Sequence, residues 1–376
     1  MDLPLNLKND LLRRKKAANF RTLSHPTFEA DFFSNDYLGY SGNKAISDSA
    51  KSFINSQSIE ANGSSGSRLI SGNHKLFEIL ELKANRVFNT EAALFFNSGY
   101  DANIGLLSAT LKPKDIIFYD ELCHASIRDG LQMSKAKSFK FQHNNYKDLA
   151  KKIELQLKRL NPQNIYIITE SVFSMDGDQS DVSRLIEISK NYQAYLIIDE
   201  AHALGVCGKD YKGLSYEFSK DIFARIYTCG KALGSHGGFV LGSKALKDYL
   251  INFSRPFIYT TGASPFHVAK VIASLDYFES EDKEKEELKA VISLFKKEVI
   301  SADLSEQISL NDTAIQFIQT RDIVKAKALA KNLNENGFGV KAILYPTVPK
   351  GKERIRIILH SYNSKDEIKR LVSSIK

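Results

Sequence analysis

Between about residue 41 and residue 255, short β-branched or aromatic runs alternate with helical stretches: AALFFNSGY, DIIFYDE, SFKFQHN, IYIITESVF, AYLIIDEAH, ARIYTCGK and GGFVLGS. Strands separated by helices need crossover connections, and the compact solution is a mostly parallel sheet with helices over its faces. The alternation predicts an α/β fold with one large sheet domain over residues 41–255. At 376 residues the chain is too long for one small core, so a second, smaller domain is expected.

Residues 1–40 read as an N-terminal arm: a helical pattern from Leu5 to Phe20, then the extended DFFSNDYLGYS, whose Asn-Asp and Gly signals mark a turn. Residues 256–376 read as the smaller α/β domain. Within it, the segment 279–298 is highly charged and then helical, with Leu288, Val291, Ile292 and Phe295 on one face. AIQFIQT and RIRIILH read as strands, and DIVKAKALAKNLNENG as a helix closing at Gly337.

Composition narrows the class. Hydrophobic residues make up 43% and charged residues 26%, ordinary globular usage. A net charge of +8 raises the question of polyanionic partners, but Lys and Arg are interleaved with acids, as from Glu279 to Glu287, and no basic stripe alternates with aromatics. Neither nucleic acid nor membrane is an expected partner. The excess suits solvated surface and anionic substrates. Cys123, Cys207 and Cys229 form no CxxC pair and no metal-like spacing with His, so no metal is expected and a reducing, cytoplasmic setting fits.

In open α/β sheets ligands bind beyond the carboxyl ends of the strands, so the residues that terminate the apolar runs matter most. LFF runs into Asn97, Ser98, Gly99 and Tyr100; YIIT into Glu170, Ser171 and then Ser174; YLII into Asp199 and His202; IYT into Gly230 and Lys231. Taken together they put a lysine, carboxylates, a histidine and small residues on one edge of one sheet. FNSGYDANIGLL joins a strand and a glycine to a helix start near Asp101, where free N–H groups suit a phosphate; a plain capped turn is the bland alternative. Asp199 ends an apolar run, where a lone charge is costly unless partnered. His202, taken alone, reads equally as a satisfied core histidine. The DEAH string also occurs in helicases, but the phosphate loop those enzymes need is missing. Lys231, alone a surface amine, becomes a Schiff-base candidate beside an acid and a phosphate loop, since desolvation frees its lone pair.

The motifs NDYLGYS, SGYDAN, CHAS, ESVFSMDGD, DEAH, TCGKALGSHGG, IYTT and PTVPKGKERIRI occur in one order from about residue 20 to residue 360. As a set they resemble the alpha-oxoamine synthases, fold type I pyridoxal-phosphate enzymes that condense an amino acid with an acyl thioester and release carbon dioxide. The resemblance implies that Lys231 holds the pyridoxal 5'-phosphate and later moves the α-proton, and that Asp199 pairs with the ring nitrogen. It places His202 and Ser174 near the phenolic oxygen and His124 against the ring face. Gly99, Tyr100 and Thr228 would hold the phosphate, with Thr261 reaching it from a second subunit of a homodimer. Substrate contacts fall to Arg21, Asn35, His124, Thr347 and Arg356, the arginine gripping the amino acid carboxylate. Within the family, Arg21, Thr347 and the loop GSSGSRLISGN favour the biotin-pathway member, which joins L-alanine to a pimeloyl thioester carried by coenzyme A or a carrier protein. A glycine-using acetyl transferase, a serine-using sphingolipid-type synthase and a catalytically idle cofactor-binding scaffold are the alternatives. Cys229 and TTGASPFH depart from the common pattern without touching an indispensable group.

Overall fold

The computed structural model describes residues 2–375 apart from Ala18, Ser24 and Pro26. The first strand, β1 (Ala30–Asp31), stands outside the main sheet. The main sheet is built from β2 (Ala92–Phe96), β3 (Ile116–Asp120), β4 (Lys137–Phe141), β5 (Ile165–Glu170), β6 (Tyr195–Asp199), β7 (Ala224–Thr228) and β8 (Gly238–Gly242). Their spatial order is β2-β8-β7-β6-β5-β3-β4, parallel except at β8, which runs antiparallel to both its neighbours. This is the mostly parallel sheet that the alternation predicts.

Both faces are covered, so the strands alternate between two cores rather than between core and water. Ile197 of β6 packs with Leu94, Phe96, Ile117 and Ile226 under the helix Gly99–Thr110. Its neighbours Leu196 and Ile198 face the other way, with Ile167 and Phe118, under the helices Tyr146–Leu157 and Val182–Asn191. The helix Gly99–Thr110 is buried on nearly every side because it packs on the helix Ala125–Met133 and on the sheet.

The C-terminal part carries β9 (Ile308–Ser309), β10 (Ile315–Gln319), β11 (Phe338–Gly339), β12 (Lys341–Ile343) and β13 (Arg354–Ile358). Four of these form an antiparallel sheet in the order β12-β13-β10-β9, while β11 pairs with β1 in parallel. The charged segment becomes the helix Lys283–Ser301, which buries Leu288, Val291, Ile292 and Phe295 as its period requires. The helix Ile323–Glu335 is followed by Gly337 at φ +87°, a left-handed stop. The N-terminal helix ends at Lys16 rather than Phe20, and none of its residues is buried.

Two segments lace the sheets together. The stretch after β1 runs between them: the carbonyl of Phe32 accepts from Ile358 N–H at 2.8 Å, and that of Tyr37 from Ser361 N–H at 2.9 Å. Where it crosses the strand-end loop, Gly234 (φ +56°) is required, since a Cβ there would lie 2.2 Å from the amide nitrogen of Ser41. The second lace is the loop after β5. Its Asp176 pairs with Arg354 of β13 at 2.6 Å, and its Gly177 carbonyl accepts from Thr313 Oγ1 at 2.8 Å. His143 clasps the same loop between Asp120 (3.0 Å) and Asp178 (2.5 Å). Burial opposes its charge, but the hydrogen bonds to the two carboxylates prevail and push its pKa up to about 10.

Leu106, wholly buried in the central helix, tests this core. Leu106→Ala should cost about 2–5 kcal/mol of unfolding free energy, read from the denaturation midpoint at unchanged slope.

Candidate active site

The carboxyl ends of β2, β5, β6 and β7 converge on a cavity of about 100 Å³, lined by Gly99, Tyr100, Asn103, His124, Ser126, Glu170, Asp199, Ala201, His202, Ile226, Thr228 and Lys231. Its floor is Asp199. The carboxylate is 5% exposed, accepts from Asn103 Nδ2 at 2.7 Å and from the Ala201 N–H at 2.9 Å, and faces Lys231 electrostatically. Glu200, the next residue, turns away and accepts from Ser215 N–H at 2.6 Å, so the adjacent acids do separate jobs.

Lys231 follows β7 and is half-buried. Desolvation lowers its pKa to about 8, against the opposing pull of Asp199 and Glu170 and with some help from Arg356. Among the described residues its Nζ has no hydrogen bond or ion pair of its own, as a nucleophilic amine requires. Glu170, aligned with Asp199 across β5 and β6, accepts from the backbone N–H of His124 at 2.5 Å. Burial and the neighbouring Asp199 push its pKa up to about 8. His124 caps the helix Ala125–Met133 and is exposed at the cavity's mouth, its Nδ1 at 2.8 Å from Ser126 Oγ.

On the opposite rim the helix Gly99–Thr110 begins. It starts two residues before the expected Asp101 because Ser98 is the N-cap and accepts from the Asp101 N–H at 3.0 Å. The N–H groups of Gly99 and Tyr100 are left for an external acceptor at the positive end of the helix. Gly99 lies so close to β7 that a Cβ there would meet Thr228 Oγ1 at 3.1 Å.

Two further groups border the site. Arg356 of β13 is 8% exposed, donates to Asn35 Oδ1 at 3.0 Å, and keeps its Nε buried without a partner. Tyr37 is fully buried and its hydroxyl lies 2.6 Å from His202 Nδ1. The structure thus brings together Lys231, Asp199, His202, His124, Gly99, Tyr100 and Thr228, with Arg356 and Asn35 alongside. Ser174 lies on the loop after β5 and Thr261 on an exposed turn whose carbonyl accepts from Asn97 Nδ2; neither lines this cavity. Arg21 is exposed in the arm. Thr347 lines a separate cleft of about 700 Å³ together with Arg128, Lys140, Arg321 and Lys352. Sequence reasoning missed Asn103, Ser126 and Tyr37, although each sits inside a motif it singled out: SGYDAN, CHAS and NDYLGYS.

These residues fit pyridoxal phosphate. A half-buried amine of lowered pKa, a carboxylate for a cationic ring nitrogen, and a glycine-tight helix N-terminus beside a threonine hydroxyl are the donor set its aldehyde, ring and phosphate need. Fold and site together define a fold type I pyridoxal-phosphate-dependent transferase.

Comparison with known proteins takes this further. The profile of the family "Aminotransferase class I and II" matches residues 30–375. The 8-amino-7-oxononanoate synthase of Marinobacter nauticus is 34% identical over 381 residues, covering 97% of this chain and 94% of the relative. Among solved structures, the 8-amino-7-oxononanoate synthase of Francisella tularensis superposes with a TM-score of 0.75 at 29% identity, over 92% of this chain and 96% of that one. The Sphingomonas wittichii serine palmitoyltransferase shares the fold, with a TM-score of 0.89 at 24% identity over 100% of this chain and 97% of that one. The chain belongs to the aminotransferase class I and II family, and within it to the alpha-oxoamine synthases. Among the described residues no helix is long and apolar enough to cross a membrane.

The Lys231 amine gives a direct test. Competitive labelling with acetic anhydride, followed by mass spectrometry of the Lys231 peptide in cofactor-free protein, should titrate near pH 8, as the lowered pKa requires. A surface lysine would titrate at about 10.4.

Proposed function

We propose that the protein condenses L-alanine with a pimeloyl thioester, on coenzyme A or a carrier protein, to give 8-amino-7-oxononanoate, carbon dioxide and the free thiol, a step of biotin synthesis. The observation that carries this reading is that Lys231 feels the charge of Arg356. A nucleophilic amine and a half-satisfied guanidinium lie within electrostatic reach of each other in a chain whose full-length relatives bear that product's name.

Pyridoxal phosphate, when bound, supplies an electron sink for the bond broken at the amino acid's α-carbon. The chain does the rest. Lys231 holds the cofactor covalently and then takes and returns the proton at the α-carbon, work suited to an amine of pKa about 8. Asp199, fixed by Asn103 and the Ala201 N–H, keeps the ring nitrogen protonated. Gly99, Tyr100 and Thr228 take the phosphate, with Thr261 and Ser174 as further cofactor contacts, Thr261 from the second subunit of a homodimer. His202 donates to the phenolic oxygen, and His124 offers its ring face. Arg356 and Asn35 grip the amino acid carboxylate in a fork that meets both oxygens. The larger cleft, with Thr347 and five lysine and arginine side chains, suits an anionic thioester, and Arg21 would meet the same substrate from the arm.

A thiol-release assay crossing alanine, glycine and serine with acetyl, pimeloyl and palmitoyl thioesters tests the substrates. Alanine with the pimeloyl thioester should turn over fastest. Glycine, lacking one methyl, should lose about 10–200-fold in kcat/KM. Faster turnover of glycine with acetyl-CoA, or of serine with palmitoyl-CoA, refutes the assignment within the family.

Two variants separate the roles. Lys231→Ala should abolish product formation while unfolding as cooperatively as the parent. Arg356→Ala should raise the alanine KM by about tenfold or more while the bound cofactor's absorbance persists.

A further inference from the structure

We propose that Tyr37 is a positioning residue that fixes which nitrogen of His202 carries the proton and couples that choice to Arg356. The inference rests on the functional reading above and deepens it. Tyr37 belongs to the NDYLGYS motif, from which only Asn35 was expected to act.

The geometry is specific. Tyr37 is fully buried, and its backbone carbonyl is tied to Ser361 N–H at 2.9 Å, so the backbone that carries the ring is fixed to the segment after β13. Its hydroxyl sits 2.6 Å from His202 Nδ1, while His202 lines the cavity beside Lys231 and Asp199. The guanidinium of Arg356, which donates to Asn35 Oδ1 at 3.0 Å, acts electrostatically on the same hydroxyl. The charged and titratable groups that bear on His202 are Lys231, Arg356 and His124; Cys207 also faces Tyr37.

Burial first, and then the positive charges of Lys231, Arg356 and His124, hold the His202 pKa well below its usual value, so the imidazole is neutral and has one N–H. Burial likewise pushes the Tyr37 phenol up, so it keeps its proton. Arg356 is a cation with donors and no acceptor, so its field favours the phenolic oxygen turning its lone pairs toward the guanidinium. The single hydroxyl hydrogen is then left for His202 Nδ1. With Nδ1 accepting, the histidine's proton resides on Nε2, and the cavity receives a donor rather than an acceptor. Without the hydroxyl both tautomers become accessible, and Arg356, whose Nε already lacks a partner, loses a nearby dipole.

Tyr37→Phe in the cofactor-loaded enzyme tests this, since it keeps the ring and its packing. A donor beside the cofactor's phenolic oxygen stabilises negative charge there, so its loss should move the pH midpoint of the cofactor's visible absorbance upward by about half a unit or more. The cofactor Kd should rise, and the alanine KM should rise about fivefold with kcat changing less. In a His202→Gln background Tyr37→Phe should add no further midpoint shift, because the two act through one another. A midpoint within about 0.2 units of the parent, or an equal shift in the His202→Gln background, overturns the proposal. Should Tyr37→Phe fail to fold, the wild-type protein decides: in histidine-¹⁵N-labelled enzyme, the His202 signal, assigned by its loss in His202→Gln, should report a proton on Nε2, and a proton on Nδ1 overturns the inference. Cofactor absorbance and product formation by the wild-type enzyme test the functional reading itself, whatever Tyr37 does.

Discussion

The buried carboxylate of Asp199 is the constraint around which the site is arranged. An ionised acid at the end of a central strand costs several kcal/mol unless its oxygens are bonded and its charge is faced by another. Asn103 and the Ala201 N–H satisfy the oxygens, and Lys231 faces the charge. Each of these ties recruits a different element. Asn103 brings the helix Gly99–Thr110, whose free N–H groups begin one turn away, and Lys231 brings the loop after β7. The second buried acid, Glu170, cannot also be readily ionised at that spot, so its pKa rises and it serves to hold the backbone of His124.

A charge held this way places demands on the surrounding chain. Arg356 is on the small sheet, whereas Asp199 ends a strand of the large one and Lys231 follows another, so the spacing of these groups is set by how the two sheets are held together. Two laces supply that spacing: the segment after β1, which hydrogen-bonds to β13 and passes Gly234, and the loop after β5, pinned by Arg354 and His143. The ESVFSMDGD motif has a structural part in this. Its Asp176 and Asp178 are the groups that fasten the loop.

The strand ends were legible in the sequence because an apolar run can stop at a polar residue in only a few ways on a helix-covered sheet. Lys231, Asp199, His202, Gly99 and Thr228 all end or follow such runs, and they meet in one cavity. Asn103 and Ser126 were not legible, for they lie on helix turns where a polar residue reads as surface until the packing shows it buried. Arg68, from the loop GSSGSRLISGN, stacks on Phe77 and pairs with Glu81 at 2.6 Å, a packing role hidden by its polar setting.

Periodicity and run endings by themselves determined the α/β architecture, the helix face of Leu288, Val291, Ile292 and Phe295, and the edge of the sheet where chemistry gathers. These depend on neighbours a few residues apart, and local spacing records them. The tertiary structure alone decided that Tyr37 meets His202 across 165 positions, that Arg356 meets Asn35 across 321, and that Glu200 turns away from the cavity while Asp199 turns toward it. Those pairings arise where separate elements close on one another, and the hydrogen-bonding demand of a buried group can be met by whichever partner packing delivers.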